Sequence, residues 1–472
     1  MPRKADAWYP WSMVGGGDRR PLVVLLYTGL LMVAPGCRNL LGIHDLAEHD
    51  AEVEPPVEQD AATIARWYIV LEGDGAGRLD VAGVGLDPGL SCPPTCAGSI
   101  GVGQELVVTP HPEPGSHFAE LIPDDGKLWV PANARHVTIA ADLELRARFL
   151  EIRHNLVFVS SRLVRTDLGG VAAYDAVCRE VAAAAELPTD DFIALLPSST
   201  ESWQVRLGAA RGFVGMDGRP VADLLQDLVV QNPIMRTEHG HLVAPNLLVF
   251  TGLDRLGRIT GSCRDWTLAD SSERTGVGVA WLGPPLALGE STVDCGYERP
   301  IYCAMRRSSR LMATAPHPGR LLFVSRGEAN SAGGVAAADA LCQSERPASR
   351  VDATFRALLA RPGVLAAQAL ELSASYVRPD GQLLGTGLEL TGGRVRTGPW
   401  QFADGELVPW RTAVLTGSGT SPETSGTLDT TCLDWSSTEG DLIFGRPISA
   451  YQWWSDSSSG CGGQFHLYCV EQ

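Results

Sequence analysis

Gly169-Gly-Val-Ala-Ala-Tyr-Asp-Ala-Val-Cys178 and Gly333-Gly-Val-Ala-Ala-Ala-Asp-Ala-Leu-Cys342 are nearly the same segment, written twice in one chain of 472 residues. Their surroundings match too. Phe158-Val-Ser160 precedes the first and Phe323-Val-Ser325 the second. Downstream, Phe192-Ile-Ala-Leu-Leu196 matches Phe355-Arg-Ala-Leu-Leu359, Asp217-Gly218 matches Asp380-Gly381, and Thr251-Gly252 matches Thr416-Gly417. Cys263-Arg-Asp-Trp266 answers Cys432-Leu-Asp-Trp435, and Cys295 with Tyr302-Cys303 answers Cys461 with Tyr468-Cys469. The separation stays between 163 and 169 residues, so one domain has been duplicated. Each copy is long enough to bury its own core.

Within each copy, a short strand opens the domain and an Ala-rich run follows Gly-Gly. In Val171 to Leu187, Ala173, Val177, Cys178 and Val181 recur at helical spacing, which predicts a helix with Cys178 on its buried face. Short strands among Gly/Ser turns complete the copy. Ala304 to Arg320 joins the copies; with four Arg and two Pro it reads as an exposed, solvated linker, its basic cluster being an alternative site for an anion.

The ordered set of Gly-Gly-x-Ala-x-x-Asp-Ala-x-Cys, Phe-x-Ala-Leu-Leu, Thr-Gly, Cys-x-x-Trp, Cys and Tyr-Cys resembles the endostatin-like branch of the C-type-lectin-like fold, over about 154–304 and 321–472. Four cysteines per copy allow three pairings. The resemblance implies nested ones: Cys178–Cys303 around Cys263–Cys295, and Cys342–Cys469 around Cys432–Cys461. It also directs attention to metal sites that the residues do not supply. The Glu-Pro-Asn or Gln-Pro-Asp triplet that serves calcium in sugar-binding lectins is absent, and Trp454-Ser-Asp456 matches the companion triplet only loosely. No His cluster of the zinc-binding kind opens either copy, and His239-Gly-His241 has no counterpart in the second.

Residues 66–150 carry a different pattern. Trp67-Tyr-Ile-Val-Leu71, Leu106-Val-Val-Thr-Pro110, His136-Val-Thr-Ile-Ala140 and Leu143-Glu-Leu-Arg-Ala-Arg-Phe149 read as strands, with no helical period between them. Cys92-Pro-Pro-Thr-Cys96 reads as a local disulfide, with metal ligation as the alternative. Strand, Gly-rich turn, Cys-loop-Cys, Thr109-Pro110, Gly115-Ser-His-Phe118 and a final Phe149 together resemble a divergent bacterial B-repeat, a β module that the resemblance makes a spacer or an adhesion element. The expected class is thus α+β: two tandem lectin-like domains behind a small all-β module.

Arg19-Arg20 precede an apolar run, Pro21 to Pro35, of signal-peptide length. It ends in Ala34-Pro35-Gly36-Cys37, which resembles a bacterial lipobox; a plain secretory signal or an uncleaved anchor are the alternatives. The chain then divides as signal 1–36, lipidated Cys37 with an acidic tether to 65, β module 66–150, first copy 154–304, linker 305–320 and second copy 321–472. With Cys37 lipidated, ten of the eleven cysteines remain for five disulfides in an oxidising compartment. The start at Met1 or Met13 is left open.

A formal charge of −17 excludes a general nucleic-acid binder. No Gly-x-Ser-x-Gly elbow and no phosphate-binding Gly loop occur, and His is not repeated between the copies. No enzyme, no cofactor and no metal are therefore expected. Asp265-Trp266 and Asp434-Trp435, each beside a cysteine, are candidate ligand-binding pairs, and Trp454 is a fifth candidate; the alternative is a core Trp packed on a disulfide with Asp capping a turn. The expected function is a lipoprotein of the cell envelope, at the outer membrane or surface of a Gram-negative bacterium. Cys37 would bind it to the membrane, and the two copies would recognise a glycan or protein. A structural envelope component and an extracytoplasmic enzyme are the rivals.

Overall fold

A computed structural model describes residues 64–83, 90–92, 95–123, 136–312 and 315–472. The signal, Cys37 and nearly all of the tether lie outside the described residues. The rest is a mixed α+β structure in which strands predominate.

The first module is built from β1 (Ile64–Glu72), β2 (Gly77–Gly83), β3 (Leu90–Cys92), β4 (Thr95–Gly101), β5 (Glu105–Pro112), β6 (Ser116–Pro123), β7 (His136–Thr138) and β8 (Leu143–Glu151). Two four-stranded sheets form, in the orders β4-β1-β8-β6 and β3-β2-β5-β7. Alternation along β1 sends Ala65, Trp67 and Ile69 inward, where they meet Leu79, Val81 and Leu106. Cys92–Cys96 joins β3 of one sheet to β4 of the other.

In the first copy, Asn155–Val159 lies between the last strand, Tyr302–Met305, and Phe213–Gly215. The helix Val171–Ala184 packs through Tyr174, Val177, Cys178, Val181 and Ala182, and Cys178–Cys303 fastens it to the last strand. The helix stops three residues short of the expected Leu187. Glu186 takes a left-handed φ of 58°, its N–H bonds Ala183 O, and Leu187 N–H bonds Ala182 O. This is a Schellman stop, and it turns Leu187 back into the core. The second copy repeats the plan: Arg320–Val324 pairs with Gln464–Glu471, and Cys342–Cys469 ties the helix Gly334–Ser344 to that strand. Cys263–Cys295 and Cys432–Cys461 complete the nested pairs.

The copies do not hang apart on a linker. Gly283 N–H donates to Ile448 O (2.7 Å) and Ala450 N–H donates to Trp281 O (3.0 Å), with Leu282 bridged antiparallel to Ser449. Trp281, Leu282 and Gly283 are the counterparts of Ile448, Ser449 and Ala450. The contact is therefore isologous, a two-fold arrangement inside one chain. One hydrophobic core runs through it, joining Trp281, Leu282 and Leu286 to Trp400, Ile448 and Ala450. Gly283 is required here: a Cβ on it would lie 2.6 Å from the Trp400 ring. The connecting segment also departs from an exposed linker at its start. Met305 is buried in the last strand, Ser308 N–H donates to Asn155 Oδ1, and Met312 N–H donates to Asp223 Oδ1.

The β module is packed onto the first copy through β6. Arg236 reaches Glu120 and Asp217. Burial alone would raise the Asp217 carboxyl, but Arg219 and Arg236 outweigh it and hold the group well below the usual range. Nearby, buried His117 places Nε2 3.0 Å from Met216 O while its Nδ1 has no partner. Burial pushes this imidazole down to about 4. The unfolded chain, with an ordinary value near 6.5, takes up the proton first. Neutral His117 thus stabilises the fold fully above about pH 6.5, and the contribution fades as pH falls toward about 4, by about 3 kcal/mol in all. His117→Gln keeps a donor for Met216 O and removes the titration. It is expected to flatten the loss of thermal stability between pH 6.5 and 4; an unchanged slope would assign that loss to other groups.

Candidate functional site

All four residues of Cys263-Arg264-Asp265-Trp266 have φ between 49° and 65°, and all four of Cys432-Leu433-Asp434-Trp435 between 50° and 60°. Each segment is one turn of left-handed helix, a conformation costing roughly 1–2 kcal/mol per residue. The surroundings impose it twice. Trp266 N–H donates to Ser262 O and Trp435 N–H to Thr431 O, both at 2.6 Å. Ser262 Oγ and Thr431 Oγ1 accept from the Asp265 and Asp434 amides. Gly169 N–H and Gly170 N–H both donate to Trp266 O at 3.1 Å, with φ of 98° and 104° at these glycines. In the first copy the Gly-Gly signature and the Cys-x-Asp-Trp signature are thus two halves of one contact.

This turn separates the members of each expected ligand-binding pair. The indoles go inward. Trp266 is fully buried, edge-on to Tyr174 and Phe250, and donates to Pro197 O (2.6 Å). Trp435 donates to Ala360 O (2.9 Å). Trp454 is equally buried and donates to Ser418 Oγ (2.9 Å). Trp266, Trp435 and Trp454 are thus withdrawn from any ligand surface, a correction to the expectation; their N–H groups are spent on the core. The carboxylates go outward and differ. Asp265 accepts from the hydroxyl and amide of Ser199 and from Ser262 Oγ, neutral donors that hold it below its usual range. Asp434 is held below its usual range chiefly by Arg361, which grips it at 2.9 and 2.7 Å.

A cleft of about 240 Å³ opens where the β module meets the first copy. Glu186, Glu238, His111 and His239 enter it, between walls that include Phe118 and Leu187. His111 stands between two carboxylates, Nε2 3.0 Å from Asp80 Oδ2 and Nδ1 3.2 Å from Glu186 Oε1. Glu238 has a side chain only 1% exposed. It accepts from the Ser161 amide (2.9 Å) and the Ser161 hydroxyl, and His239 Nε2 lies 3.7 Å away. Sequence reasoning marked His239 and His241 as neighbours but passed over Glu238, because the duplication hides it: the second copy has Ala403 in its place. The registers of Val159 with Thr237 and Val324 with Phe402 fix that correspondence.

A broader open groove, about 660 Å³, crosses the outer face of β4, β1 and β8 beside Tyr68. Its Arg66 and Asp142 are spent on each other at 2.8 and 3.1 Å. Among the described residues, no three His, Cys, Asp or Glu side chains are placed to hold a metal ion, and no helix is long and apolar enough to cross a membrane. A scan against protein-family models finds no match, and a search of curated proteins finds no similar sequence.

Proposed function

We propose that the chain is a lipid-anchored protein of the bacterial cell envelope that recognises an outside or envelope ligand, glycan or protein, without turning it over. Its two copies are read as endostatin-like, C-type-lectin-like domains, held out from the membrane by Cys37 and the acidic tether. Two sequence features support this: the apolar run ending in Cys37, and the ordered motif set seen twice. Five cysteine pairs suit an oxidising compartment. The observation that carries recognition is the cleft at the junction of module and first copy, where polar groups converge between apolar walls on fixed elements.

A second reading draws on the same cleft. Two imidazoles and two carboxylates are the groups of acid–base catalysis, and they converge where the β module meets the first copy. The test uses the full chain with Cys37→Ala, oxidised and probed on an array of glycans and matrix proteins with and without EDTA. Saturable binding that survives EDTA, with the ligand recovered intact, is the expected result. Loss in EDTA would overturn calcium independence, recovery of cleaved ligand would favour the enzyme, and no binding by folded protein would favour a structural envelope component.

A further inference from the structure

We infer that the cleft between the β module and the first copy takes a primary alkylammonium group, the lysine side chain of a protein ligand, on the Glu238 carboxylate. The inference deepens the recognition reading and rests on it for its biological sense, but its chemistry stands on the cleft alone.

The carboxylate inventory carries the argument. Among the described residues, the other buried carboxylates, Asp217 and Glu471, sit against guanidinium groups, Asp217 against Arg219 and Arg236 and Glu471 against Arg350; the partly buried Asp175 and Glu120 do likewise, against Arg206 and against Arg148 and Arg236. That is what a charge removed from water requires. Glu238 is buried as deeply as any of them, yet its hydrogen bonds come from the Ser161 amide and hydroxyl, and its neighbour in place of a guanidinium is the His239 imidazole, 3.7 Å away. No Lys or Arg lines the cleft that Glu238 enters. Glu186, at the opposite side, is engaged with His111. The cleft therefore carries two carboxylates and no permanent cation.

Capping the Ser161 amide does not by itself demand a buried glutamate at this position. In the second copy the corresponding Arg326 amide is capped by Glu345, from the end of the helix, and Ala403 stands where Glu238 would be. Glu238 is thus an addition of the first copy, and it stands at the cleft. The walls suit a methylene chain: Pro110, Pro112, Phe118 and Leu187 are apolar, and Ala184 leaves the rim open. About 240 Å³ holds one side chain rather than a polymer.

The test titrates the full Cys37→Ala chain with Nα-acetyl-lysine methylamide, followed by NMR, and repeats it with the Nε-acetylated probe. Saturable binding of the amine is expected, with the acetylated probe at least about ten-fold weaker, the loss that a missing charge-assisted hydrogen bond produces. Glu238→Gln, which keeps an acceptor for Ser161, and Ala184→Phe, which fills the rim from an exposed helix position, are each expected to weaken the amine by a similar factor. No saturable amine binding, equal binding of both probes, or undiminished affinity in both variants would overturn the inference. Array binding that ignores Glu238→Gln would sink the cleft and spare recognition. Amine binding that depends on Glu238, with a blank array, would do the reverse.

Discussion

Replacing Cys342 and Cys469 together by alanine is expected to cost about 5 kcal/mol, as the loop-closure entropy for a separation of 127 residues gives. That is comparable with the whole stability of an ordinary domain. The loss would not stay in the second copy. Trp400, Ile448 and Ala450 share one core with Trp281, Leu282 and Leu286, so unfolding the second copy strips that face of the first. Denaturant unfolding, followed by tryptophan fluorescence, is expected to show one transition at a much lower midpoint. Cys92→Ala with Cys96→Ala, whose separation is 4, is expected to cost only about 2 kcal/mol. Two separate transitions, the first copy's unmoved, would show that the shared core does not couple the copies.

Arg378→Met is expected to cost about 3 kcal/mol. Arg378 is 0% exposed. It bonds both oxygens of Asp380, Thr397 Oγ1, Gly398 O and, across the contact between copies, Gln231 O. Its guanidinium lies 4.4 Å from the centre of the Trp400 ring. Removing one member of a buried pair strands the other charge and costs about 3–5 kcal/mol; the lower figure applies because Asp380 remains partly hydrated. Arg378→Met with Asp380→Asn should recover part of the loss, since neither charge is then left alone. Arg378→Lys should not, because an ammonium cannot span these five acceptors. Equilibrium unfolding of the three variants checks this; a cost under about 1 kcal/mol for Arg378→Met would show the cation to be dispensable.

What could be read from the sequence followed from repetition and periodicity. Recurrence marked the helix, the two sets of four cysteines and the opening and closing strands of each copy, because each rests on local spacing; the nested pairing of the cysteines came only from the resemblance. The stop at Ala184 was not legible: nothing in Ala-Ala-Ala-Glu-Leu says that Glu186 will turn left-handed, since that depends on where the core needs Leu187. A core position for Trp266 and Trp435 was one of two readings left open, but the left-handed turn that sends them there was hidden for the same reason. Cys-x-Asp-Trp carries no glycine to announce positive φ, and the strain is met by partners far off in sequence, Gly169 and Gly170 among them. Glu238 escaped because repetition was the guide, and the cleft belongs to what the copies do not share.

The bridge between Leu282 and Ser449 carries a historical consequence. Equivalent residues meet across a two-fold axis, as they do in a homodimer of separate chains. Tandem gene duplication of such a dimer would retain the contact and make it intramolecular. Once tethered, the halves no longer had to be identical to find each other. One could then take Glu238 while its twin kept Ala403, a departure from symmetry that a true homodimer, with one gene for both faces, could not make.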